Sequence, residues 1–288
     1  MSTMDTFTRS PAEIELAPDL STLTSRVPEP DGTLREVRQS PVHSLLVDSF
    51  EALADGRAGG AVVTYGDLQV KWRPDGATYQ LNLDAFRFIH AVSGLLPAGA
   101  RILDVGSGTG VLGLGVATFA EVRQLCLLDY NPGATRQAQN NCRTFTRRNP
   151  DVAIRLVQGR FHSSLQTRVG EHDVLISNPP YFPPALLAGR DGRTRLTDDF
   201  GLTPALLTDG LAFAHEVYFM YSTAAEPEIA ELMARRTPGS CATTVATWQA
   251  PFPSHLLSPL GRKRFATNGP DSRWDAWHEV RIVRLSRT

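Results

Sequence analysis

Across the middle of the chain, short apolar runs alternate with longer stretches whose apolar residues recur at helical spacing. The runs ARILDV (100–105), QLCLLD (124–129), IRLVQG (154–159), DVLISN (173–178) and EVYFMYS (216–222) have strand length and little polarity. Between them lie VLGLGVATFA (111–120), PGATRQAQNNCRTFTRR (132–148), a weaker helical piece after residue 159, and PALLTDGLAFA (204–214). Strands alternating with helices predict an α/β fold, a doubly wound, mostly parallel sheet covered on both faces. The end of the chain breaks this pattern. SCATTVATWQ (240–249) and HEVRIVRLS (278–286) are β-rich with no convincing helix between them, which predicts antiparallel pairing at a C-terminal edge of the sheet.

The first part of the chain reads differently. Residues 1–40 are rich in Ser, Thr, Pro and charge with single apolar residues scattered among them, the composition of a flexible arm or lid. Residues 41–96 form an extension. VHSLLVDSFEALADG (42–56) has helical spacing and stops at Gly56, AVVTYGDLQVKW (61–72) predicts one or two strands broken at Gly66-Asp67, and LDAFRFIHAVSGLL (83–96) predicts a helix ended by Pro97-Ala98-Gly99. Residues 97–288 then carry the main domain.

Composition narrows the function classes. The chain has 288 residues, 42% of them hydrophobic, enough for one good core plus an extension. With 29 Lys and Arg against 30 Asp and Glu its formal charge is -1, without the basic excess of a protein that tracks nucleic acid. Its densest basic runs are Arg147-Arg148 and Arg262-Lys263-Arg264. Cys126, Cys142 and Cys241 are widely spaced, which argues against a disulfide framework and against a zinc site, and the dispersed histidines form no metal-binding spacing either. No run reaches the roughly 18 apolar residues of a membrane helix, and no leader pattern opens the chain, so a cytoplasmic protein is expected.

Two features carry chemistry. The first is Gly106-Ser107-Gly108-Thr109-Gly110 directly after the run ending at Val105. Glycines are required where the chain must turn tightly and let a ligand lie against its backbone. Asp129 closes the next strand, where a carboxylate can accept both ribose hydroxyls of a nucleoside. Gly108, Gly110 and Gly113 also fit dinucleotide spacing, so a nicotinamide oxidoreductase is a rival. Against it, Asp104 stands two residues before Gly106, where its carboxylate suits a cationic amine and would repel a pyrophosphate. No constellation for hydride chemistry accompanies it. The second feature is Asn178-Pro179-Pro180-Tyr181, in which two prolines after a strand deny the backbone both helix and further sheet.

Together these segments resemble the motifs of class I S-adenosylmethionine-dependent methyltransferases, Rossmann-like enzymes, over roughly residues 81–222. The tetrad resembles that of enzymes methylating the side-chain amide of glutamine or the exocyclic amine of adenine, and of small-molecule relatives. The resemblance implies that S-adenosylmethionine is the cofactor, with Asp104, Gly106, Gly108 and Gly110 around its methionine end and Asp129, Tyr130 and Asn131 at ribose and adenine. Arg160 stands where relatives often carry an acid for the adenine amine, leaving backbone groups or stacking on the neighbouring Phe161 as the expected contact. It also implies that Asn178 and Pro179 offer oxygen acceptors to a planar nitrogen on which Tyr181 stacks, with Pro180 stiffening the corner.

The loop after the tetrad carries Asp198 and Asp199, which are either a helix start or a clamp for a cationic substrate. Near-neutral charge favours a small-molecule or peptide substrate over RNA or DNA adenine, with no membrane partner. Trp248, Trp274 and Trp277 are expected in core or edge packing. A non-catalytic adaptor of the same fold is disfavoured by the intact Asp104, Asp129 and tetrad.

Overall fold

A computed structural model describes residues 11–29, 31, 33–39, 59–73, 81–188, 201–234, 239–252, 254–269 and 274–288. The helix expected at 42–56 and the pair Asp198-Asp199 lie outside the described residues.

The N-terminal region corrects the reading of its first forty residues as an arm or lid. Strands β1 (Ala12–Leu16), β2 (Leu23–Pro28) and β3 (Leu34–Gln39) join β4 (Ala61–Tyr65) and β5 (Leu68–Trp72) in one five-stranded sheet, in the order β3-β2-β1-β4-β5. The boundary drawn at residue 40 therefore cuts through a single sheet, because β1 pairs in parallel with β4. The apolar residues that looked scattered follow period two. Ala12, Ile14 and Leu16 are buried while Glu13 and Glu15 face outward, the alternation of a half-buried strand. At the other edge, the stretch expected as one or two strands is two, β4 and β5, which form a hairpin at Gly66, whose φ of 53° suits glycine.

The main sheet has seven strands. Helix α1 (Leu83–Ser93) leads into β6 (Ala100–Val105), α2 (Val111–Phe119), β7 (Val122–Asp129), α3 (Pro132–Arg148), β8 (Ala153–Gln158), the one-turn α4 (Gln166–Val169) and β9 (His172–Ser177). There follow α5 (Leu202–Phe213), β10 (Ala214–Ser222), α6 (Glu226–Ala234), β11 (Ser240–Pro251), the short α7 (Pro259–Arg264) and β12 (Trp277–Arg287). Strand order is β11-β12-β10-β9-β6-β7-β8. Strands β6 to β10 are parallel, whereas β12 runs antiparallel to both β10 and β11, so the antiparallel C-terminal edge is present. Between β11 and β12, where no helix was expected, α7 is a single short turn-and-a-half that sequence periodicity cannot register.

Alternate residues of the strands feed two cores. Ile102, Leu125, Leu127, Val174 and Ile176 pack with α1, α2 and the N-terminal sheet, while Leu103, Val105, Cys126, Leu128 and Leu175 pack with α5. Each such side chain contributes about 1.5–3 kcal/mol relative to exposure. The α2 helix approaches α1 closely: a Cβ on Gly115 would sit 2.2 Å from Ile89 Cδ1. On α3, Gln137 and Asn141 lie one turn apart and mimic a neighbouring strand. Their amides accept from the backbone N–H groups of Arg73 and Lys71 and donate to the carbonyls of the same residues, sealing the edge of β5. Trp277 is fully buried, and half-buried Trp248 donates Nε1–H to Asp84 Oδ1 at 2.6 Å, tying β11 to α1. Among the described residues no helix is long and apolar enough to cross a membrane.

Candidate active site

The glycine bend forms because β6 stops at Val105 and the chain must reverse into α2. Gly106, Gly108 and Gly110 have φ of 72°, 55° and 81°, the left-handed region that only glycine enters freely. The N–H groups of Gly106 and Ser107 donate to Leu128 O at 2.8 and 3.1 Å, hooking the bend over the end of β7. Gly113 does not belong to this turn. It lies inside α2, and a Cβ there would meet Leu127 Cδ2 at 2.7 Å and Asp104 Oδ2 at 3.0 Å. Gly113 is thus a packing residue, and the register of the bend is 106-108-110.

Two carboxylates flank this bend, Asp104 bonding to α2 behind it and Asp129 to the bend itself. Asp104 is completely buried on β6; its Oδ2 accepts from Gly113 N at 2.9 Å, while Oδ1 has no hydrogen-bond partner among the described residues. Burial pushes its pKa up to about 7, with Asp129 adding like-charge repulsion against the Gly113 hydrogen bond. Asp129, at the end of β7, accepts from Gly108 N and Asn131 N, each at 2.8 Å. Burial raises its pKa despite those two hydrogen bonds. Asn131 caps α3, its side-chain oxygen accepting from Gly133 N at 2.8 Å, while the Tyr130 side chain is exposed. Gly159 N donates to Asp129 O at 2.9 Å, which brings Arg160 and Phe161 alongside. Arg160 is exposed, and the Phe161 ring lies 4.7 Å from that of Phe213.

The tetrad emerges next door. In the β6–β9 register Ile176 is opposite Asp104, so Asn178 and Gly106, each two residues further on, leave the sheet at the same level on adjacent strands. Ser177 fixes this junction by donating Oγ–H to Val105 O at 2.7 Å. Pro179 is buried, Asn178 and Pro180 are half-buried, and half-buried Tyr181 packs against all three apolar clusters of the molecule.

Sequence reasoning missed what stands behind Tyr181. Phe182, Phe252, Phe265 and His278 form an aromatic nest, with Phe182 4.9 Å from the Tyr181 ring and 5.9 Å from Phe265. His278 Nδ1 lies 2.7 Å from Ser222 Oγ, and burial pushes its pKa down to about 3, so the ring is neutral. The 3-10 turn Pro184–Leu186 is clamped by α7: Ser258 Oγ donates to Ala185 O at 2.6 Å, and a Cβ on Gly261 would sit 2.2 Å from Leu186 O. The only advance signals were aromatic residues in a region without periodicity.

The residues present fit S-adenosylmethionine. The orphaned Asp104 oxygen suits an ammonium group, and a Cβ on Gly108 would meet nothing within 4 Å, leaving room for a ligand against the bend. Residues 90–186 match the family model described as methyltransferase small domain. The chain is 31% identical over 169 residues to the release factor glutamine methyltransferase of Deinococcus radiodurans, a match covering 57% of this chain and 56% of that one. It is 36% identical over 94 residues to the tRNA1(Val) (adenine(37)-N6)-methyltransferase of Haemophilus influenzae, covering 32% of this chain and 39% of that relative. The matched stretch therefore spans about half, or less, of these curated relatives. A solved structure from Pyrococcus horikoshii, provisionally described as an RNA methyltransferase, superimposes with a TM-score of 0.51 at 18% identity, covering 77% of this chain and 92% of that one, and shows the shared fold. Over residues 90–186 the chain thus matches a methyltransferase small domain, and it resembles class I methyltransferases of the Asn-Pro-Pro-Tyr type.

Proposed function

We propose that the protein is an S-adenosylmethionine-dependent N-methyltransferase whose acceptor is a planar, weakly nucleophilic nitrogen. The observation that supports this reading is the shared level of Asn178 and Gly106 on adjacent strands, which sets the Asn-Pro-Pro-Tyr corner beside the glycine bend. Both relatives named above act on such a nitrogen, a glutamine amide or an adenine amine. When bound, the cofactor supplies an electrophilic methyl group on a sulfonium.

The chain's own residues do the rest. Asp104 Oδ1 receives the cofactor's ammonium, and Asp129 receives the ribose hydroxyls while keeping its hold on Gly108 and Asn131. Tyr130 and Phe161 flank the adenine. The Asn178 side-chain oxygen and the Pro179 carbonyl accept the N–H groups of the acceptor. These bonds strengthen as the nitrogen pyramidalises, so they favour the transition state over the ground state. Tyr181 stacks on the flat group, and its ring face beside a sulfonium is worth about 1 kcal/mol or more. No general base is required, because the charged product loses its proton to water afterwards.

Asn178→Ala tests this. Methyl transfer from labelled cofactor should fall by about 10²- to 10³-fold, the range for losing one preorganised hydrogen-bonding group. Calorimetric affinity for S-adenosylhomocysteine should stay within a few-fold of wild type. Near-normal turnover in that variant would sink the mechanism.

A further inference from the structure

Charge is unevenly distributed along this near-neutral chain. Between Glu231 and Asp271 there is no Asp or Glu, yet the same stretch carries Arg235, Arg236, Arg262, Lys263 and Arg264. With those five set aside, 24 cations face 30 carboxylates, so a chain of formal charge -1 is a +5 segment on a -6 body. Arg235 and Arg236 lie outside the described residues; the other three sit on α7.

The fold carries α7 to the acceptor corner. Gly261 is pressed against Leu186 O, and the backbones of 187–188 and 256–257 pair through an isolated bridge and the bond from Ala188 N to Leu256 O at 2.7 Å. Phe265, at the end of α7, stacks on Phe182, the ring next to Tyr181. Of the three cations, Arg264 is committed to Glu228 and to Ala224 O. Arg262 and Lys263 are exposed and have no carboxylate partner among the described residues, and exposed His255 stands on the same lobe. The underside of the lobe packs on the aromatic nest through Leu257 and Phe265.

We propose that the α7 lobe is a docking surface for the phosphodiester backbone of a nucleic-acid strand, one of whose base amines enters the Asn178–Tyr181 corner. This rests on the methyltransferase reading and narrows its substrate class. The argument is one of obligatory neighbours. Every nucleotide base has phosphates on either side, so a corner that takes a base needs cations a short way off, whereas a peptide amide has no fixed charge beside it. Arg262 offers a guanidinium fork matched to phosphate, with Lys263 as a second point charge. The -6 body repels a polyanion elsewhere and so orients its approach toward this lobe.

The test uses the full chain and a fluorescein-labelled, adenine-containing single-stranded RNA about 15 nucleotides long, in the range that single-strand grooves span. Anisotropy titrations between about 50 and 200 mM salt give the slope of log affinity against log salt. For R262E/K263E the slope should become shallower by about 1.4, at about 0.7 per lost phosphate contact on a single strand. Affinity at the lower salt should fall tenfold or more. R147E/R148E removes the same charge from the far end of α3 and should leave the slope unchanged. Equal effects from the two double variants, or a wild type whose RNA binding is absent or indifferent to salt, would overturn the proposal. So would polyglutamate binding as tightly and being lost equally in R262E/K263E, which would mark the lobe as an acidic-protein surface. Calorimetry with S-adenosylhomocysteine separates the two readings. Normal cofactor binding without RNA binding removes the docking surface alone, while absent cofactor binding removes the methyltransferase reading and leaves the RNA titrations to judge the lobe.

Discussion

The two halves of the site are held by opposite means. Around the glycine bend the backbone is tied by hydrogen bonds, since Leu128 O takes two N–H groups and Asp129 two more, while Asp104 Oδ1 and Thr109 Oγ1 are left without a partner among the described residues. Among the described residues, the tetrad corner takes its shape from two prolines, the Ser177 link to Val105, and the apolar clusters around Tyr181. On the proposed function, the difference follows from what each half has to do. A cofactor common to many reactions can be met by a fixed polar mould. A corner that must release a variable acceptor and still exclude water is better built from stiff backbone and packed rings.

Experiments can break this contrast. The largest effect belongs to Asn178→Ala, which should cost turnover and spare the cofactor. Asp129→Ala should do the reverse. It removes the acceptor for two backbone N–H groups and for the ribose, and S-adenosylhomocysteine affinity should drop about 30-fold or more, about 2 kcal/mol, measured by calorimetry. An unchanged affinity would mean that the bend stands without its carboxylate clamp.

Gly261→Ala probes the packed half, because its Cβ would collide with backbone at Leu186 O and not with a side chain that can swing away. Thermal unfolding should show a loss of about 1–3 kcal/mol, with methyl transfer reduced and cofactor affinity kept. Equal loss of both functions would show that the halves are one mechanical unit.

The smallest effect is a pH dependence. Since the Asp104 pKa is raised to about 7, the free folded protein favours the protonated acid; that contribution to stability is full below the unfolded value of 3.8 and is lost as pH rises through about 7. A bound ammonium group prefers the carboxylate. S-adenosylhomocysteine affinity should therefore increase up to about tenfold between pH 6 and 8, and Asp104→Asn should flatten the profile. A flat profile in the unaltered protein would place the ammonium elsewhere.

Much of the cofactor half was legible in advance because its signals are local. A strand, a glycine bend and a helix follow one another within twenty residues, and Asp129 falls where the next strand ends. The acceptor half was legible only as a motif. Its surroundings come from residues more than seventy positions further along, at Phe252, Phe265 and His278, and no periodicity announces a nest of rings. The arm expected at the N-terminus failed for a related reason. Ala12, Ile14 and Leu16 show period two over a strand so short that only pairing with β2 and β4 distinguishes it from chance. Net charge is a coarse guide as well, since a whole-chain sum conceals a segment without acids.

The amino-acid sequence by itself determined the alternation of strands and helices, the positions where only glycine can turn, and the stiffness of the Asn-Pro-Pro corner, because each is set by the steric and apolar character of neighbours along the chain. The tertiary structure alone decided that Asn178 stands level with Gly106 on adjacent strands, that α3 seals the edge of β5, and that α7 packs against the segment that follows the tetrad. Those are contacts between residues remote in sequence, and they exist only once the apolar faces of the sheet have chosen their partners.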